Sequence, residues 1–122
     1  MILLNDFFSI TRQSTSDGNM EAVLEINKGH RIFEGHFPNQ PVVPGVCMMQ
    51  MIKELLEQEL KKETKLLSAA EMKFLAVIDP TRNNVIHASI KYSAESDQLK
   101  VTASLFKSEL MHFKFKGVFV FA

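Results

Sequence analysis

The stretch PGVCMMQMIKELLEQELKK, Pro44–Lys62, decides the architecture. A Pro-Gly pair opens it, and from Val46 to about Lys62 good helix formers run on without an internal Gly or Pro. Gln50, Lys53, Glu54, Glu57 and Lys61 recur at spacings of three and four, while Met48, Met51, Ile52, Leu55, Leu56 and Leu60 make a broad apolar side. This is the one long helix the sequence predicts, and its apolar side is wide enough for a sheet to wrap.

Downstream the period changes to two. A strand is predicted within Leu66–Ile78, ending before Asp79-Pro80. NVIHASIKY alternates Ile86, Ala88, Ile90 and Tyr92 against more polar neighbours; LKVTASLF alternates Leu99, Val101, Ala103 and Leu105; MHFKFKGVFVF alternates Met111, Phe113, Phe115, Phe119 and Phe121. Short polar links between the last three predict an antiparallel meander. Upstream, FFSITRQ and MEAVLEINK flank the turn signal Asp17-Gly18-Asn19 and predict a hairpin. From Lys28 to Val43 there is no sustained period, so that segment is predicted to be a surface loop. Two strands, a long helix and about four more strands make an α+β fold, with one helix packed on a curved antiparallel sheet of about five to six strands.

The 122 residues suit a single domain, 1–122, and no repeat or linker divides them. With 14 basic and 14 acidic residues, no net field draws in nucleic acid or anionic lipid. No apolar run approaches the roughly 18 residues that span a bilayer. The lone Cys47 has no internal disulfide partner, and MILLNDFFSI lacks the features of a signal peptide, so the expectation is a cytoplasmic protein. His30, His87 and His112 show no metal-ligand spacing and are read as structural or exposed; no metal and no cofactor is expected. Cys47, on the helix, is read as packing.

The run GHFPNQPVVPGV, Gly35–Val46, resembles the GHFPxxPxxPGV signature of the 3-hydroxyacyl-acyl-carrier-protein dehydratases, which have the hotdog fold. Lys73-Phe74 followed by Pro80 is similar to the segment bordering the substrate tunnel in that family, and the strand order agrees. The resemblance implies a dimer whose sheets join into one, with two active sites at the interface. It implies His36 and Gly45 as catalytic positions, with a carboxylate five residues after Gly45. That third position is Gln50 here, and Glu54 stands one turn later, where the family tends to carry an amide. The acid-then-amide pair has become amide then acid. By the same resemblance, Phe33, Phe37, Pro44, Val46, Met51 and Phe74 are expected to contact substrate.

Removing water from a 3-hydroxyacyl thioester needs a base for the C2 proton, a stabiliser for charge on the thioester oxygen, and an acid for the departing hydroxyl. An imidazole, with an ordinary pKa of about 6.5, suits His36 to the first task. The backbone N–H of Gly45, at a helix start, suits the second. An amide cannot perform the third, because it has no proton to give up. Glu54 is the candidate replacement; without the resemblance, its polar stripe would read as an ordinary solvated face.

The expected activity is therefore dehydration or reversible hydration of acyl groups on acyl carrier protein or coenzyme A, in fatty-acid or related lipid or polyene synthesis. A thioesterase on the same fold is the first alternative. A non-catalytic acyl-binding subunit, or one half of a heterodimer, is the second. A homodimer or a higher oligomer of dimers is the expected assembly.

Overall fold

The computed structural model describes residues 2–35 and 41–122. His36 and Phe37, singled out in the sequence, lie outside the described residues. Strand β1 (Phe8–Ser16) and β2 (Asn19–Ile26) form the expected hairpin, followed by a one-turn helix α1 (Ile32–Gly35) and the long helix α2 (Gly45–Leu60). Then come β3 (Thr64–Phe74), β4 (Val85–Glu95), β5 (Gln98–Lys107) and β6 (Leu110–Phe121). All six strands join one antiparallel sheet in the order β1-β2-β4-β5-β6-β3.

The hairpin turn works because Asp17 and Gly18 both take positive φ, 49° and 76°, matching the right-handed twist of the strands it joins. A side chain at Gly18 would also collide with the carbonyl oxygen of Tyr92, 2.6 Å from a Cβ built there. The loop expected between Lys28 and Val43 carries α1, a helix of four residues and too short to leave a periodic signal.

Cross-strand register explains how the sheet bends around α2. One row runs Ala22, Ala88, Leu105, Phe113, and the next runs Met20, Ile90, Ala103, Phe115. Small residues in the middle of these rows leave room for the helix, and large ones at the β6 end fold over it. Met51, Ile52, Leu55 and Leu56 on α2 are fully buried, as are Phe113 and Phe119 on β6. Each such side chain contributes roughly 1.5–3 kcal/mol by leaving water.

The two ends of α2 differ. At its C-terminus Lys61 adopts the left-handed conformation (φ 56°) and its N–H reaches the Glu57 carbonyl. The Glu57 carboxylate then accepts hydrogen bonds from the Thr64 N–H (2.6 Å) and hydroxyl (3.2 Å), tying the helix to the start of β3. At its N-terminus Pro44 precedes the first turn with no side-chain cap.

Candidate active site

The extended backbone of Pro44 (φ −60°, ψ 146°) delivers the chain into α2 at Gly45. The N–H groups of Cys47 and Met48 both turn back to the Pro44 carbonyl, at 3.0 and 3.2 Å. Gly45 and Val46 open the helix, where main-chain N–H groups have no intrahelical acceptor and the positive end of the helix dipole lies. Phe74, the last residue of β3, lays its ring against this opening. A Cβ at Gly45 would sit 2.9 Å from Phe74 Cε1, so the ring's position depends on glycine here.

Phe74 also stacks on Phe113, with ring centroids 4.9 Å apart. A groove of about 330 Å³ opens beside it, lined by Val43, Gly45, Met48, Phe74, Leu75, Ala76 and Val77. Its wall is apolar apart from main chain, which suits an acyl chain better than a polar ligand. The wall is held by backbone: Val43 N–H donates to the Ile78 carbonyl (2.9 Å), and Leu75 N–H to the His112 carbonyl (2.9 Å). Buried His112 keeps its Nδ1 3.0 Å from the Ala76 carbonyl, which makes Nδ1 the protonated nitrogen.

The remaining expected positions separate into two groups. Val46 is exposed, Pro44 is half-buried, and Phe74 lines the groove. Phe33 and Met51 are part of the core cluster: Phe33 packs on Phe7 with centroids 5.4 Å apart, and Met51 is fully enclosed. Cys47 is buried, and burial pushes its thiol pKa above the ordinary value. His30 is buried with Asp6 at 3.0 Å, and His87 stacks on Phe106.

The exchanged pair on α2 is where structure adds most. Gln50 is half-buried and Glu54 is 7% exposed, so neither belongs to a wet helix face. Gln50 Nε2 donates to Glu54 Oε2 at 2.8 Å. Glu54 also accepts from the Leu3 N–H on both oxygens (2.9 and 2.8 Å) and from the Leu4 N–H (2.7 Å). Among the described residues every group bonded to this carboxylate is a donor, so it serves there as an acceptor. Nothing in the sequence near Glu54 signalled its main-chain partners, because Leu3 and Leu4 lie 51 and 50 residues away.

Residues 12–116 match the model of the ApeI-like family, described as ApeI dehydratase. The chain belongs to the ApeI-like dehydratases. A 3-hydroxyacyl-acyl-carrier-protein dehydratase of Rickettsia typhi is 32% identical over 87 residues, 65% of this chain and 56% of the relative. The match thus spans little more than half the length of that relative. Among solved structures, the dehydratase heterocomplex ApeI:P of Xenorhabdus doucetiae superposes with a TM-score of 0.74 at 19% identity, covering 91% of this chain and 96% of that one. The (R)-hydratase of A. caviae involved in PHA biosynthesis gives 0.63 at 13% identity, covering 91% and 100%. Both establish the fold, which is the hotdog of one helix wrapped by a curved sheet.

Proposed function

We propose that this ApeI-like chain forms a 3-hydroxyacyl-thioester dehydratase site, acting on acyl groups borne by acyl carrier protein or coenzyme A. The observation that carries this reading is the open start of α2 at Gly45, facing an apolar groove walled by Phe74. His36 removes the proton at C2, the electron pair moves onto the thioester oxygen, and the Gly45 N–H stabilises that oxygen. Collapse of the enolate forms the C2–C3 double bond and breaks the C3–O bond, and the hydroxyl leaves as water once it receives a proton.

The source of that proton distinguishes this site from the pattern of its family. Gln50 has none to give, and Glu54 is held among donors. In the simplest scheme His36 carries the C2 proton to the departing oxygen on the same face, so one group serves both steps. A second reading, favoured by the occupied Glu54, has a partner chain supply the carboxylic acid in a heteromer. Thioester hydrolysis fits less well, since it requires a carboxylate free to activate water. The site would be completed by pairing through the exposed apolar residues that flank the groove, among them Val46, Leu67, Met72 and Val77.

Assay of the purified chain alone on crotonyl and 3-hydroxyacyl thioesters tests the proposal. Hydration or dehydration that disappears in His36→Ala, with the fold intact, is the expected result. Thiol release would indicate hydrolysis instead, and no turnover until a carboxylate-bearing partner is added would select the heteromer.

A further inference from the structure

The chain is neutral overall, with 14 basic and 14 acidic residues, yet its charge is unevenly placed. On β6 the alternation Phe113-Lys114-Phe115-Lys116 buries both rings and leaves both lysines exposed on the face turned away from α2. Cross-strand register extends each lysine into a row. Lys116 stands beside Thr102, which stands beside Lys91; Lys114 stands beside Ser104, which stands beside Ser89; and Lys100 lies beside Ser93. We infer that this face of lysines and hydroxyls is a docking surface for a partner protein that presents a compact cluster of carboxylates. The inference does not rest on the dehydratase reading above.

The charge of this face is largely uncompensated. Lys100 reaches Glu95 at 2.7 Å and Lys73 lies 3.7 Å from Glu71, but among the described residues Lys91, Lys114 and Lys116 make no ion pair. Strands lie about 4.8 Å apart, so Lys91 and Lys116 leave the sheet roughly 10 Å from each other, with Thr102 between them. That is about one screening length at 0.1 M salt, so the two ammonium groups repel each other. A carboxylate set over Thr102 is attracted by both, and its oxygen accepts from the hydroxyl. The short hydroxyl side chains between the lysines leave room for such groups. One depression of about 530 Å³ reaches Lys91, Lys100, Thr102 and Lys116, and a second of about 330 Å³ reaches Ser89, Ser104 and Lys114.

Other occupants fit worse. A second copy placed face to face would set lysines against lysines. Nucleic acid is held by arginine forks on phosphate and by stacked bases. The three arginines, Arg12, Arg31 and Arg82, lie on β1, just before α1 and between β3 and β4, and no aromatic side chain stands in either row. Each row is also bounded by an acid: Glu71 on β3 stands beside Lys116, and Glu21 on β2 stands beside Ser89 and accepts from its hydroxyl at 3.2 Å. A bilayer or a long polyanion laid across the strands would meet those carboxylates, whereas a compact acidic cluster fits between them. Position separates this partner from whatever enters the groove. Phe74 and Phe113, stacked beside the groove, belong to the opposite face of the sheet from Lys73 and Lys114, so a protein seated on the lysines leaves the groove uncovered. From the Lys114 row to Lys100 the face runs only about 13 Å along the strands. That is well under the roughly 800 Å² that a stable interface covers on each partner, so the contact is transient and salt-sensitive.

Fluorescence anisotropy of the full chain with a labelled oligoglutamate peptide tests this. The peptide is expected to bind and to shift the amide resonances of Lys91, Thr102, Lys114 and Lys116. It is expected to be released as salt rises from about 0.1 M to about 1 M, where the screening length falls to about 3 Å. Lys116→Gln removes a charge without setting a carboxylate against Glu71, and should weaken binding about 5-fold; combined with Lys91→Gln and Lys114→Gln, the loss should reach about 30-fold. Lys28→Gln removes the same charge just after β2, away from this face, and should change binding less than about twofold. Equal losses in Lys28→Gln and Lys116→Gln would mean that only net charge is sensed. Shifts confined to Lys61, Lys62 and Lys65 would place the surface elsewhere. An oligonucleotide of equal charge, or phosphatidylglycerol vesicles, bound as tightly as the peptide would replace the acidic protein by a phosphate polyanion. Any of these results, or no binding of the peptide, would overturn the inference. Thermal unfolding separates a lost surface from a lost fold, and the shifts in the parent chain decide the location should a variant unfold.

Discussion

The sheet has two edges, and they are built differently. Strand β1 reads FSITRQSTS, with Ser, Thr, Arg and Gln over its outer half, and Thr15 bonds across to Glu59 rather than presenting an apolar face. Strand β3 reads TKLLSAAEMKF, and Leu66, Leu67, Met72 and Phe74 stand exposed along it, followed by Leu75 and Val77. Both edges contain register irregularities, so strand regularity is not the difference. An unpaired strand edge is a template for another chain, and polar side chains are one way to blunt it. The β1 edge is blunted in this way and the β3 edge is not. We propose this β3 edge, next to the groove that Phe74 lines, as the surface for the expected pairing.

The largest expected effect comes from making β3 resemble β1. Leu67→Asp combined with Met72→Glu should raise the dimer dissociation constant at least about 1,000-fold. Each change replaces roughly 1.5–3 kcal/mol of apolar burial with a charge and occurs on both chains. Analytical ultracentrifugation across the micromolar range checks this. A variant that remains dimeric would move the contact away from β3, and with it the idea that pairing completes the site.

Next in size is the point where the apolar edge meets α2. Gly45→Ala should lower dehydratase turnover about 100-fold, because the added methyl displaces the Phe74 ring and crowds the N–H proposed to hold the thioester oxygen. Steady-state kinetics with thermal unfolding as a companion measurement would separate a lost site from a lost fold. Near-normal turnover would remove Gly45 from the mechanism.

How much of this could be read beforehand depended on how local the cause was. The Asp17-Gly18 turn, the α2 start at Pro44-Gly45 and the alternation in β4–β6 are encoded by neighbours in sequence, and each is found as an element in its expected place. The helix ends at Leu60 rather than Lys62, since Lys61 takes the left-handed cap. What could not be read was set by distant contacts. Sheet order puts β3 outside β6, at the edge of the sheet, and its adjacent Leu66 and Leu67 stand exposed there. Glu54 lies on a polar stripe by spacing, yet the N-terminal turn folds over it and makes it an internal anchor. The burial of Phe33 has the same origin: Phe7, distant in sequence, packs against it.

A smaller effect tests where the chain's own core stops and the open edge begins. Val46 is 68% exposed and its neighbour Cys47 only 3%. Because burial raises the Cys47 pKa, the native state resists ionising it, while the unfolded chain ionises near the ordinary value of 9.0. The resulting stability is complete below that pH and is lost as pH rises above it. Alkylation of native protein at pH 8 should be at least about 10-fold slower than in denaturant, and equally slow in the Leu67→Asp, Met72→Glu variant. Faster labelling in that variant would mean that pairing, not the chain's own core, covers the thiol.

The smallest expected effect is the control on the other edge. Arg12 is exposed on β1, and among the described residues it makes no ion pair, so Arg12→Glu removes no packing and strands no partner charge. Stability should stay within about 0.5 kcal/mol of the parent, as for surface substitutions away from special features. The dissociation constant should likewise stay within about threefold, because the charge change falls on the edge already turned to water. Parallel denaturation and sedimentation on this variant and the β3 variant would put both edges on one scale. If Arg12→Glu weakened association as strongly as the β3 substitutions, polarity would not distinguish the two edges, and the assignment of the dimer contact to β3 would fall.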